Sequence, residues 1–176
     1  MPIAINGSGT VTGISAGGLP DGCITAAELA SGVGGKVLQY KHVTTGTTYA
    51  TTSGTYANMS AFDLAITPTS ASSILVIQLN IRAACWHTSA NGGNYMFALS
   101  DDNGSSYLTQ ASFYPYRYDS GGLYLETSDT QIISVSAANT NARTYKVYHK
   151  AGAVSNAKVN QNNTDESSLQ IWEVST

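Results

Sequence analysis

The sequence predicts an all-β protein, an antiparallel β-sandwich of jelly-roll type behind an extended, glycine-rich N-terminal arm that carries one short helix. Three observations lead there. From Lys36 onward apolar residues recur at every second position. Gly, Asn, Asp, Ser and Pro punctuate these runs, and no helical periodicity separates them, as the crossover helices of a parallel sheet would require. Residues 1–35 differ in kind, being rich in Gly, Ser and Thr, with single apolar residues and no Lys or Arg before Lys36. Residues 36–176 are therefore the sandwich, and residues 1–35 an arm too poor in apolar surface to fold by itself.

Within the arm, Ile3, Ile5, Val11, Ile14, Leu19, Ile24 and Leu29 are the residues available to anchor it. Thr25-Ala26-Ala27-Glu28 has capping-box spacing, in which the threonine hydroxyl accepts from the Glu28 amide and the carboxylate accepts in return. This opens a helix near residues 25–31, closed by Ser31-Gly32. So short a helix is marginal alone and has to dock on something. Gly13-Ile14-Ser15-Ala16-Gly17 matches G-x-S-x-G in letters only, because a nucleophile elbow needs a buried strand turning into a helix and none precedes it. The arm also lacks the cationic start and continuous apolar run of a secretory signal.

The strands follow in order. Leu38-Tyr40-His42 alternates, then Phe62-Leu64-Ile66. In Leu75-Ile77-Leu79-Ile81-Ala83 every second residue is apolar while Gln78, Asn80 and Arg82 point the other way, as in a half-buried antiparallel strand. Tyr95-Phe97-Leu99, Ile133-Val135, Tyr145-Val147 and Leu169-Ile171 repeat the pattern. Turn signals fall at Thr67-Pro68, Asn91-Gly92-Gly93, Asp102-Asn103-Gly104 and Ser120-Gly121-Gly122. Asn103-Gly104 is the firmest, because this pair tolerates successive positive φ. Val76, Trp172 and Val174 lie opposite the inward residues of their own strands. A strand apolar on both faces needs a second burial, so these three are candidates for a subunit interface, or for cover by the chain's own tail or a loop.

Composition narrows the function. Charged residues make up 11% of the 176 residues and the net charge is −3, against about 25% charged in an average soluble domain. An uncharged polar surface suits close contact between subunits, where buried charge is costly. Without a basic stripe there is no means of displacing counterions from phosphates, so no nucleic-acid partner is expected. No apolar run is long enough for a transmembrane helix. Cys23 and Cys85 fit no metal or redox spacing and read as reduced structural thiols.

No catalytic or metal constellation emerges. His42, His87 and His149 are unrelated in spacing, so no zinc site is expected. Asp101-Asp102-Asn103-Gly104-Ser105 resembles the start of a calcium loop, but Ser112 stands where the bidentate carboxylate belongs. Asp119, Glu126 and Asp129 offer no selected pair for glycoside hydrolysis, and the repeats of a depolymerase β-helix are missing. No enzymatic activity and no cofactor are expected. The most distinctive stretch runs from Phe113 to Tyr124. There Tyr114, Tyr116, Arg117, Tyr118, Asp119 and Tyr124 have the character of a binding loop for a receptor or glycan, with flat rings for sugar faces and a guanidinium for an acidic group. The alternative is that Phe113 and Tyr118 simply plug the sandwich.

The N-terminal INGSGTVTGISAGGLPDGCITAAELA resembles the attachment segment of short fibre and appendage proteins of tailed bacteriophages. The succession GTTYATTSGTY, ITPTSASSILVIQLNIRA, YMFALSDDNGS, ARTYKVYHKAG and SSLQIWEVS is similar to the β-sandwich that ends many phage tail fibres. Cys85-Trp86-His87 and the segment from Phe113 to Tyr124 depart from that pattern, and no family role carries over to them. The resemblance implies a virion structural protein at the particle surface, assembled in the host bacterium. It further implies a homotrimer anchored by its arm to capsid or tail proteins, with the sandwich facing outward to a host receptor such as a surface glycan. A head fibre or capsid decoration protein without receptor binding is the alternative, and a polysaccharide depolymerase a more distant one.

Overall fold

The structure, a computed structural model, describes residues 37–87, 94–113, 123–152, 156–162 and 164–176. By its contacts the chain divides between Gly35 and Lys36, and every described residue belongs to the second unit. The anchor residues Ile3 to Leu29 and the helix expected near residues 25–31 lie outside the described residues.

Eleven β-strands and one 3-10 turn make up the described chain. The larger sheet is built on β5 (Ile74–His87), fourteen residues long. Along its whole length β5 pairs antiparallel with β8 (Leu123–Ser136). Its other side is shared by β11 (Ser167–Val174) and β10 (Asn156–Val159). Beyond β11 lies β1 (Val37–Thr45), and beyond β10 lies β2 (Tyr49–Thr51). In the smaller sheet β9 (Arg143–Gly152) and β6 (Asn94–Ser100) are central. On either side come β7 (Thr109–Phe113) and the short β3 (Ala57–Asn58) and β4 (Leu64–Ile66). All pairings are antiparallel, as expected for chain segments joined without crossover helices.

The period-2 pattern does what it promises in β5. Leu75, Ile77, Leu79 and Ile81 are buried, with Leu169 and Ile171 of β11 beside them. Facing them are Tyr95, Phe97 and Leu99 of β6 and Tyr145 and Val147 of β9, while Met59 and Phe62 from the 3-10 turn (Ser60–Phe62) and its approach also enter the core. Aromatic edges fit the space between the sheets, as where Phe97 meets Tyr95 at 4.4 Å and Phe113 at 5.4 Å, both edge to face. Phe113 packs against the core, as one of the two readings of its segment expects; Tyr118, the other half of that reading, lies outside the described residues.

One strand runs against the simplest expectation. In β1 the alternation is present, but Tyr40 and His42 face outward and it is Val43 of the opposite parity that packs on the core. A strand carrying rings on one side and Gln39, Lys41 and Val43 on the other gives period 2 either way. Only its register against β11 decides which side is in.

The β6–β7 connection contains the expected turn, with φ of 62° at Asn103 and 84° at Gly104. It is longer than a two-residue hairpin, since Leu99 pairs with Thr109. Asp102 holds it together, accepting from the Ser100 and Ser106 hydroxyls at 2.6 Å each. The Ser100, Ser106 and backbone donors keep its carboxyl down at about 2. The resemblance of Asp101 to Ser105 to a calcium loop is explained by this turn.

Candidate interaction surface

Four neighbouring strands give the larger sheet a broad outward face, and register places its residues in rows. Tyr40 of β1 stands opposite Trp172 of β11, Trp172 opposite Val76 of β5, and Val76 opposite Ser134 of β8. The next row runs His42, Gln170, Gln78, Ile132, and the one after it Thr44, Ser168, Asn80, Thr130. On the other side of the first row, Val174, Ile74 and Ser136 align. Val76, Trp172 and Val174, singled out in the sequence for their parity, thus fall together on one surface.

The surface is apolar at one end and amidic at the other. Tyr40 is 45% exposed, Ile74 38% and Ile132 63%. Three rings form a line, with Tyr40 at 5.4 Å from His42 and 5.2 Å from Trp172. Next to them the polar groups pair with one another. The Tyr40 hydroxyl donates to Gln170 Oε1 at 3.2 Å, and Gln170 Nε2 donates to Ser168 Oγ at 3.4 Å. Asn80 Nδ2 donates to the same hydroxyl at 3.1 Å, while Asn80 Oδ1 accepts from Gln78 Nε2 at 3.1 Å and Thr130 Oγ1 at 2.8 Å. Formal charge enters only beyond these rows, where Arg82 lies 3.8 Å from Glu126 and 3.3 Å from Asp165.

The opposite end of the same sheet is locked by a buried charge. Glu173 of β11 points inward and is fully buried. It accepts from Gln39 Nε2 (2.6 Å), the Thr69 amide (2.8 Å) and hydroxyl (3.0 Å), the Ser70 amide (3.1 Å) and the Ser73 hydroxyl (2.6 Å). A carboxylate taken out of water survives only with such a set of donors. Burial by itself would push its pKa up, but the Ser73, Gln39, Thr69 and Ser70 donors outweigh that and hold it at about 2. The loop of ITPTSASS is therefore wrapped around an acid supplied by the last strand, about one hundred residues away. Sequence reading missed Glu173. The sole signal was a lone acid at an inward position of an otherwise apolar alternation.

Two further groups are structural. The Tyr95 hydroxyl lies 2.8 Å from His149 Nδ1 within the core. Burial pushes the Tyr95 phenol up and the His149 imidazole down to about 4. Cys85 is a buried free thiol, pushed up to about 11 by burial. Among the described residues no three His, Cys, Asp or Glu side chains gather as metal ligands, and no helix is long and apolar enough to cross a membrane. A pocket of about 330 Å³ between Asp101, Asn103, Arg143 and Lys146 holds no such constellation, and its Arg143 already donates to the Ala137 and Asn139 carbonyls.

Of the binding loop expected from the sequence, Tyr114, Tyr116, Arg117, Tyr118 and Asp119 lie outside the described residues. So does the side chain of Tyr124, whose backbone pairs with Trp86 in the β5–β8 ladder. No family model matches the chain, and no curated protein matches it. Among solved structures it is similar to a carbohydrate-binding module (CBM6cm-2) from Cellvibrio mixtus lichenase 5A in complex with cellotriose. The identity is 13% over 78% of this chain and 98% of that one, with a TM-score of 0.35. It is also similar to dimeric latent PorU from Porphyromonas gingivalis, at 12% identity over 82% of this chain and 14% of that one, with a TM-score of 0.33.

Proposed function

We propose that the chain is a structural protein of a bacteriophage particle: a non-enzymatic appendage, homotrimeric, held to the virion by its N-terminal arm and displaying the β-sandwich to a host receptor. One observation supports this reading above the others. The segments that carry the resemblance to phage fibre sandwiches act as a unit, since the ITPTSASS loop closes around Glu173 of SSLQIWEVS, and ARTYKVYHKAG forms the centre of the opposite sheet. On this reading the shared pattern is the framework of the display domain. What it displays belongs to the aromatic segment from Phe113 to Tyr124, whose rings and single guanidinium suit a surface glycan.

Gold-labelled antibody against residues 36–176, applied to intact particles, tests the reading. Label at the tail supports the fibre form, and label spread over the head supports the decoration form without receptor binding. Unlabelled particles sink both. Deleting residues 1–35 is expected to leave the sandwich folded but to abolish incorporation, so truncated protein found at wild-type occupancy rules out the arm as anchor. On a glycan array, Tyr116→Ala and Arg117→Ala are each expected to lose at least tenfold in binding. Signals equal to wild type would remove that segment from the receptor site.

A further inference from the structure

We propose that the outward face of the larger sheet, around Tyr40, Ile74, Val76, Ile132, Trp172 and Val174, is where copies of this chain pack on one another. This locates a subunit interface within the assembly proposed above, and it rests on the geometry of that face rather than on the aromatic segment.

Three features select a second copy as the occupant. The first is the kind of apolar surface. Ile74 and Ile132 are exposed aliphatic side chains on this sheet, and Trp172 and Tyr40 form a ring pair 5.2 Å apart on the same face. A monomer seldom leaves so contiguous a patch open, and interface cores are built of aliphatic and aromatic groups of this kind. The second is the state of the polar groups. Gln78, Asn80, Ser168, Gln170, Thr130 and Tyr40 hydrogen-bond to one another, so each has at least one partner in place before any second copy arrives. Covering them with an apolar partner leaves few donors or acceptors orphaned. A sugar or a nucleic acid would have to compete with these bonds for the same amides and hydroxyls. The third is charge. The rows from Val174 to Thr44 contain no Lys, Arg, Asp or Glu, so two copies can bring this face together without juxtaposing like charges. A charged partner finds nothing to pair with until Arg82 and Glu126 at the far end.

Size is adequate. Four strands about 4.8 Å apart and about eight residues long at about 3.3 Å each give a face of about 500 Å² in plan. Side-chain relief raises its accessible area toward the roughly 800 Å² per partner of a standard interface. Among the described residues β1 is the outermost strand beside it, so β1 and β11 of each copy would sit at the seam.

The test uses the purified full chain in sedimentation velocity and light scattering from about 1 to 100 µM. Wild type is expected to be oligomeric. Ile132→Arg, at a position exposed enough to accept the change, and Tyr40→Arg are each expected to raise the dissociation constant at least 100-fold while leaving the thermal melt cooperative. Leu108→Arg, an exposed apolar position on the β6–β7 connection, is expected to leave assembly intact. A monomeric wild type at 100 µM overturns the proposal. So does an oligomer that survives the Ile132→Arg/Tyr40→Arg double variant, or one that Leu108→Arg dissociates equally. A monomer in which a cysteine introduced by Ile132→Cys is nonetheless slow to react with an added thiol reagent would mean that the arm covers the face, and that too overturns the proposal. Failure here is separable from failure of the virion reading. Oligomers with unlabelled particles sink only the latter, and labelled particles with a monomeric chain sink the interface and the trimer but leave the place in the virion standing.

Discussion

Glu173 shows how much one side chain can decide. It joins Gln39 of β1, the loop at Thr69 to Ser73 and the end of β11 through five hydrogen-bond donors. Glu173→Ala leaves those donors buried without an acceptor and is expected to cost about 3 kcal/mol in urea-denaturation stability; Glu173→Gln should cost less. Because the carboxyl is held at about 2 against an ordinary 4.5, its contribution is complete above pH 4.5 and drains away as pH falls toward 2. The Gln variant should lose that acid dependence. His149 acts in a higher window. Its imidazole is depressed to about 4 from 6.5 by burial, so between those values the unfolded chain binds the extra proton and stability rises with pH. Wild type is expected to lose about 3 kcal/mol between pH 6.5 and 4, whereas His149→Asn should show a flatter profile across the same range. An unchanged slope would mean that His149 protonates in place.

At the scale of elements, β5 carries the sheet, and its inward residues are the natural probes. Leu79→Ala removes a buried side chain from the centre of the core, and denaturation should register a loss of 2–5 kcal/mol, about the range for cavities of this kind. The β6–β7 connection gives a different lesson. Gly104 has φ of 84°, and a Cβ there would sit 3.0 Å from the Tyr148 ring. Gly104→Ala therefore combines a disfavoured backbone with a clash, and a melting-point drop of several degrees is the expected result. The turn itself was legible because Asn-Gly tolerates positive φ from local sterics alone. The clamp by Asp102 was less so, because the same letters also open a calcium loop. Alternation made each strand visible, but β1 shows its limit, since period 2 does not say which side meets the core.

At the scale of the whole molecule, the core cluster of the described residues, from Met59 to Ile171, joins both sheets of the 36–176 unit. The sandwich is therefore expected to fold without the arm. A 36–176 fragment should melt cooperatively within about 5 °C of the full chain in calorimetry, and a broad, non-cooperative transition would show that the arm completes the core. The low charge of the sequence acquires a location at this scale. The uncharged rows on the outside of the larger sheet form one continuous face, and the Arg82, Glu126 and Asp165 ion pairs are kept at its border.

The amino-acid sequence alone determined the class of fold, the strand periods, the Asn103-Gly104 turn and the parity of Val76, Trp172 and Val174. All of these follow from sterics and alternation within a few neighbouring residues. It could not determine that β11 inserts between β1 and β5, that Tyr40 comes to stand beside Trp172, or that Glu173 closes a loop about one hundred residues away. Those depend on which distant strands pair and in what register. Only the balance of burial and hydrogen bonding over the folded chain settles that choice.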